Sequence, residues 1–170
     1  MLWQVAAGAL AAGLPGAEDD KFSFDPSLVE PWKESEVAIP AYPQTRDLLP
    51  VARNARDTNK LYVDRTSVAV GADGVARFSV VLESASGARN VLFEGMRCDT
   101  REYKTYAIGT SADRFQAVQR PQWRPIPPHE VNAFRRDLYR NHVCGDHSVR
   151  SAGDIVRSLA SGSASDSPDY

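Results

Sequence analysis

Ser67-Val68-Ala69-Val70-Gly71-Ala72-Asp73-Gly74-Val75-Ala76-Arg77-Phe78-Ser79-Val80-Val81-Leu82-Glu83 is the stretch from which the fold follows. Gly71 to Gly74 supplies the glycines and the Asp that tolerate positive φ, so the chain reverses there and the flanking runs become the arms of a hairpin. In the second arm Ala76, Phe78, Val80 and Leu82 alternate with Arg77, Ser79 and Glu83. That period of two predicts a half-buried strand with one apolar and one polar face. Upstream, Leu61-Tyr62-Val63-Asp64 predicts another short strand. Downstream, the polar loop Ser84 to Arg89 leads into a strand over Asn90 to Cys98, and Asp99-Thr100 turns that strand into Arg101 to Thr110. No connection here is long enough to hold a crossover helix, so the runs predict an antiparallel meander.

Outside the meander the prolines dominate. Trp32 to Pro50 is interrupted by Pro40, Pro43 and Pro50, each of which removes a ladder donor. It is expected to be extended and mostly irregular, with an edge strand at most, pinned by Trp32, Val37, Ile39, Tyr42 and Leu48. Ala117 to Pro128 carries four prolines around Trp123 and Ile126 and reads as an ordered crossing loop or short edge strand. Val131, Phe134 and Leu138 then recur at helical spacing, which predicts an amphipathic helix over His129 to Asn141 with Pro127-Pro128 at its start. Ser148 to Tyr170 is rich in Ser, Ala, Asp and Gly and reads as a mostly disordered tail, with a short helix over Asp154 to Leu159 at most.

The expected fold is therefore α+β: a small curved antiparallel sheet of about 4–6 strands, packed with one C-terminal amphipathic helix. A chain of 170 residues, 42% hydrophobic and 25% charged, supports one core, and residues 32–147 are assigned to that single domain. The net charge of -2 argues against a globally basic nucleic-acid binder, but it hides an asymmetry. Residues 18–37 hold seven acidic side chains against Lys21 and Lys33, whereas residues 101–150 hold nine Arg or Lys against five acids. Two solvated faces of opposite sign account for this. So does an acidic segment lying across a basic surface.

Met1 to Ala17 contains no charged side chain and passes from an apolar run into Gly13-Leu14-Pro15-Gly16-Ala17, like the core and small-residue exit of a secretory signal without its basic start. Residues 18–31 follow as an acidic, weakly ordered segment. No run approaches the roughly 20 apolar residues of a membrane-spanning helix. The expectation is an exported protein, periplasmic or envelope-associated. Cys98 and Cys144 are the two cysteines and lie far apart, outside any redox motif, so an oxidising compartment favours a disulfide over two free thiols.

Few constellations point to chemistry. His142-Val143-Cys144-Gly145-Asp146-His147 gathers metal-ligating residue types, but its spacing fits no zinc pattern and a disulfide would consume the thiolate. There is no Gly-x-Ser-x-Gly, no phosphate-cradling glycine loop and no dinucleotide fingerprint. Glu83, Glu94 and Glu102 lie on neighbouring strand segments and read as exposed charges paired with Arg77, Arg97 and Lys104. No catalytic, cofactor or metal residues are assigned. Arg97, Arg101, Tyr103, Lys104, Tyr106 and Arg114 form a candidate interaction surface for an anion or a glycan, with nucleic acid not expected.

Ser86-Gly87-Ala88-Arg89-Asn90-Val91-Leu92-Phe93-Glu94-Gly95-Met96-Arg97-Cys98, followed by Arg101-Glu102-Tyr103-Lys104 and Tyr106-Ala107-Ile108-Gly109, resembles the cryptic neisserial protein (CNP)-like family. Trp32-Lys33-Glu34, Leu49-Pro50, Asp73 to Phe78, Trp123 and Cys144-Gly145 fit the same pattern, so the resemblance spans about Trp32 to Gly145. This is an uncharacterised family of exported proteobacterial proteins, and no functional residue carries over from it. The resemblance implies export, one small domain and a Cys98–Cys144 disulfide. The functional expectation is a non-enzymatic binding domain whose partner is an envelope protein or a glycan. Alternatives are a surface adhesion or virulence-associated protein, or a small hydrolase or metal-binding enzyme.

Overall fold

The computed structural model of the protein describes residues 30–52, 58–127 and 133–162. The signal-like segment, most of the acidic segment, the start of the helix expected at His129 and the last eight residues lie outside them. By its contacts the chain divides into Met1–Trp32 and Lys33–Tyr170, and the second unit is the one treated below.

The strands are β1 (Leu48–Val51), β2 (Lys60–Val70), β3 (Val75–Glu83), β4 (Arg89–Arg97), β5 (Glu102–Gly109), β6 (Phe115–Ala117) and β7 (Arg124–Pro125). They form one antiparallel sheet in the order β1-β2-β3-β4-β5-β6, with β7 also pairing with β5. The turn at Gly71 to Gly74 is closed by Gly71 N–H to Val75 O at 3.0 Å, and Gly74 takes φ +73°, where a side chain would be strained.

The two strands expected upstream of that turn are one strand with a bulge. Pairing with β3 jumps between Asp64 and Ala69, and side chains bridge the gap. Ser67 Oγ donates to Asp64 O and accepts from Ser79 N–H, both at 2.8 Å, so its hydroxyl bridges the interrupted ladder. A second bulge makes Tyr106 the extra residue of β5. Tyr106 and Ala107 therefore both face the side of Phe93, and the alternation beyond them is inverted.

One face of the sheet carries Ala76, Phe78, Val80 and Met96 and is covered by the C-terminal segment. That segment is α1 (Phe134–Leu138), a π-helical turn (Tyr139–Val143), the two-stranded β8 (Cys144–Gly145) and β9 (Ser148–Val149), and α2 (Ala152–Ala160). Phe134 and Leu138 supply the expected apolar stripe, and Ile155 and Leu159 of α2 join the same core. Each such burial contributes about 1.5–3 kcal/mol. The C-terminal layer thus extends beyond the short helix expected at Asp154 to Leu159. Ser151 caps α2 by accepting from Asp154 N–H and donating to its carboxylate.

The polar face of β3 departs from expectation: Arg77 is 7% exposed and Ser79 0%. An extended strap, residues 33–43, runs lengthwise over this face and shields it. Val37 packs on the Phe93–Tyr106 cluster, and the Tyr42 ring lies 5.3 Å from that of Phe115. Ile39, expected as an anchor, is 41% exposed. No helix among the described residues is long and apolar enough to cross a membrane.

Candidate functional site

The strap brings a carboxylate onto the basic strands. Glu34 accepts from Lys104 Nζ and from the Tyr106 hydroxyl, each at 2.7 Å, and lies 3.9 Å from Arg77 Nη2. One residue on, Ser35 N–H donates to Asp73 Oδ2 at 2.8 Å. Asp73 also accepts a two-pronged bond from the Arg77 guanidinium, at 3.1 and 2.6 Å. Five charged or phenolic groups from the strap, the β2–β3 turn, β3 and β5 thus share one half-buried network. The Arg77 and Lys104 cations lie 5.7 and 5.5 Å from the Tyr106 ring, and Lys104 is 5.5 Å from that of Trp123.

Glu34, Asp73 and Tyr106 are each held in their usual charge state. Burial opposes the charge on Glu34, but bonds from Lys104 and Tyr106 outweigh it and lower the pKa. Burial likewise opposes the Asp73 anion, and the Arg77 fork with the Ser35 and Val75 amides brings its pKa down to about 2. Burial and the Glu34 carboxylate push the Tyr106 phenol up. All three shifts move away from neutrality, which suits fixed charges for recognition rather than a proton donor or acceptor near pH 7.

Unfilled space flanks the strap. One cleft of about 590 Å³ opens toward β5, lined by Lys33, Glu36, Ile39, Lys104, Tyr106 and Pro121 among others. Another of about 470 Å³ opens toward β2 and β3, and its lining includes Thr66, Ser67, Val70, Arg77 and Phe93. Ser35, Glu36, Val37 and Ile39 border both.

The six residues of the candidate surface are divided. Lys104 and Tyr106 belong to the network, and Tyr106 is 7% exposed. Arg97 shares that face but is bonded to Asp99 at 2.8 Å, with Glu102 3.6 Å away. Tyr103 faces the helices, where the Arg135 guanidinium lies 3.9 Å from its ring. Arg101 sits in the β4–β5 turn at φ 55°, its guanidinium 5.4 Å from the Tyr139 ring. Arg114 is exposed at the β5–β6 turn.

The three glutamates do not meet as exposed strand charges. Glu94, 1% exposed, faces the helices and is gripped by Arg135 at 3.0 and 2.7 Å and by Thr105 at 2.8 Å. Glu83 pairs with Lys60 and Arg89 instead. Glu102 does pair with Arg97. Sequence pattern alone does not mark Glu34, Asp73 and Arg77 as a site. The opposed charges of segments 18–37 and 101–150 were the available signal.

Cys98 and Cys144 form a disulfide with Cα atoms 5.6 Å apart, which ties the end of β4 to the end of the π-helical turn. The remaining residue types of the His142–His147 run are dispersed. His142 is 2% exposed with Nδ1 2.9 Å from Ser158 Oγ, whereas Asp146 and His147 form the exposed β8–β9 turn. Among the described residues no group of three His, Cys, Asp or Glu is placed to hold a metal ion.

Residues 28–160 match the model of the CNP1-like family. The chain belongs to the CNP1-like family. No curated protein and no solved structure is significantly similar to it. The CNP1-like span takes in the strap, the whole sheet and the disulfide, and it ends at residue 160, where α2 ends.

Proposed function

We propose that the protein is an exported, periplasmic or envelope-associated binding domain without catalytic activity, and that it binds an envelope component through the strap side of its sheet. The observation that carries this reading is the contrast between the two faces. The helix side is covered by the C-terminal segment, tied down by the disulfide, while the strap side combines paired charges, aromatic rings and two clefts larger than the one of about 280 Å³ beside Cys98. The Cys98–Cys144 bond supports an oxidising compartment. The electrostatics of the strap side support recognition over proton transfer.

The test is photo-crosslinking in cells. A photoreactive residue at Ile39, on the strap, should yield a discrete envelope adduct, while one at Arg157, on α2, should not. Equal labelling from both positions, or recovery of the protein in the cytoplasm with two free thiols, overturns the reading. Recovery at the cell surface would instead favour adhesion.

A further inference from the structure

Resting on that reading, the geometry points to a ligand class: we propose that the trough under the strap receives an extended acidic peptide of a partner protein, and that Glu34 occupies the carboxylate position in cis. The strap is held to this face without pairing into the sheet. Among the described residues it makes no backbone–backbone hydrogen bond to the sheet, so it is not a strand of it. Side chains hold it instead: Glu34 on Lys104 and Tyr106, the Ser35 amide on the Asp73 side chain, and Val37 and Tyr42 on the aromatic cluster.

The trough is also larger than its occupant, with a cleft on either side of the strap. Among the described residues, Arg77 Nε on its floor is buried with no hydrogen-bond partner, and so is Ser79 Oγ on the same strand. Buried polar atoms of that kind are costly to leave unmade and favour a ligand that brings acceptors. Lys104 and Tyr106, which donate to Glu34, and the Arg77 cation 3.9 Å away are all fixed by strands and not by the strap. They would therefore meet an incoming carboxylate in the same place. The strap also supplies the template: a carboxylate, an apolar side chain three residues later and an aromatic ring five residues after that, in chain that is neither helix nor strand. A tethered competitor acts at high effective concentration, so an outside peptide must gain from the clefts what the strap leaves unused.

The experiment uses the full chain and a labelled peptide with the sequence of Lys33 to Tyr42. Fluorescence anisotropy is read on the wild type and on the Glu34→Gln/Val37→Ser variant, whose fold is checked by circular dichroism. The variant should bind the peptide about tenfold or more tightly than the wild type does. Replacing the peptide's first Glu by Gln should cost about tenfold, as expected for charge-assisted bonds, and adding Lys104→Met to the protein should cost as much. Equal affinity for the two peptides, or no binding at about 1 mM, overturns the proposal. So does a strap-exchanged dimer of the variant, which would assign the trough to a second copy. If the variant does not fold, the wild type decides: hydrogen exchange of residues 33–43 should be accelerated by excess peptide, which displaces the strap, and unchanged exchange overturns the proposal. Crosslinking from Ile39 that persists when the peptide fails would show that the trough binds something else, leaving the broader function intact.

Discussion

Gly95 lies beneath the Tyr106 ring with no space for a side chain: a Cβ built there comes within 2.7 Å of the phenol oxygen and 2.8 Å of Cε2. The bulge at Tyr106 swings the ring over β4, and the glycine gives it somewhere to lie. Gly95→Ala should therefore cost about 1–3 kcal/mol in urea unfolding, the usual cost of overpacking. Tyr106→Leu combined with Gly95→Ala should cost less than the sum of the two single changes, because the ring being crowded is gone. Strict additivity would show that the two residues do not share this space.

The Glu94–Arg135 pair holds α1 to the sheet with both charges largely out of water. Breaking a buried pair strands its partner, so Glu94→Ala or Arg135→Ala should each lower stability by about 3–5 kcal/mol. Replacing both with apolar residues, Glu94→Leu with Arg135→Met, should cost less than either single change. Equilibrium denaturation of the three variants checks the order.

The disulfide closes a span of 46 residues. On the chain-entropy account such a closure is worth about 4 kcal/mol, chiefly by restricting the unfolded chain. Cys98→Ala with Cys144→Ala should show that loss. The same protein reduced under denaturing conditions and refolded with its thiols blocked should show it too.

Stability should fall on the acid side in two steps. Burial and the nearby Arg150 charge depress His142 below its ordinary value of 6.5. The unfolded chain therefore takes up the proton first, and stability declines as pH falls below about 6.5. His142→Gln, which keeps a polar group facing Ser158, should flatten this step. Asp73 acts at lower pH: its carboxylate is stabilised on folding, so its contribution is present above 3.8 and is lost as pH falls toward about 2. Arg77→Leu should shrink the Asp73 part of the second step, leaving the Glu34 part and the first step in place.

The meander could be read from the sequence because its signals are local. The Gly71–Gly74 turn and the alternation from Ala76 to Leu82 fix a hairpin without reference to the rest of the chain. Burial of Arg77 and Ser79 could not be read this way, since it depends on a strap roughly 40 residues upstream that has no periodicity of its own. By charge Glu34 is one acid among seven, and its pairing with Lys104 spans 70 residues. The reach of α2 was more accessible: Ser151 followed by Asp154 is a helix-start signal, and Ile155 and Leu159 share a helical face. The Ser-rich surroundings masked it. Glu94 was misjudged because strand alternation gives a side chain's face but not what will cover that face.

The order of elements along the chain also shapes how it folds. Among the described residues, all seven strands of the sheet precede residue 126, while the elements that seal the helix side lie between residues 134 and 160. A chain emerging N-terminus first thus completes the sheet while Phe78, Val80 and Met96 are still bare, and Leu159 closes the core almost last. During that interval the nascent domain presents an apolar sheet face, which makes it a natural client for a holding chaperone.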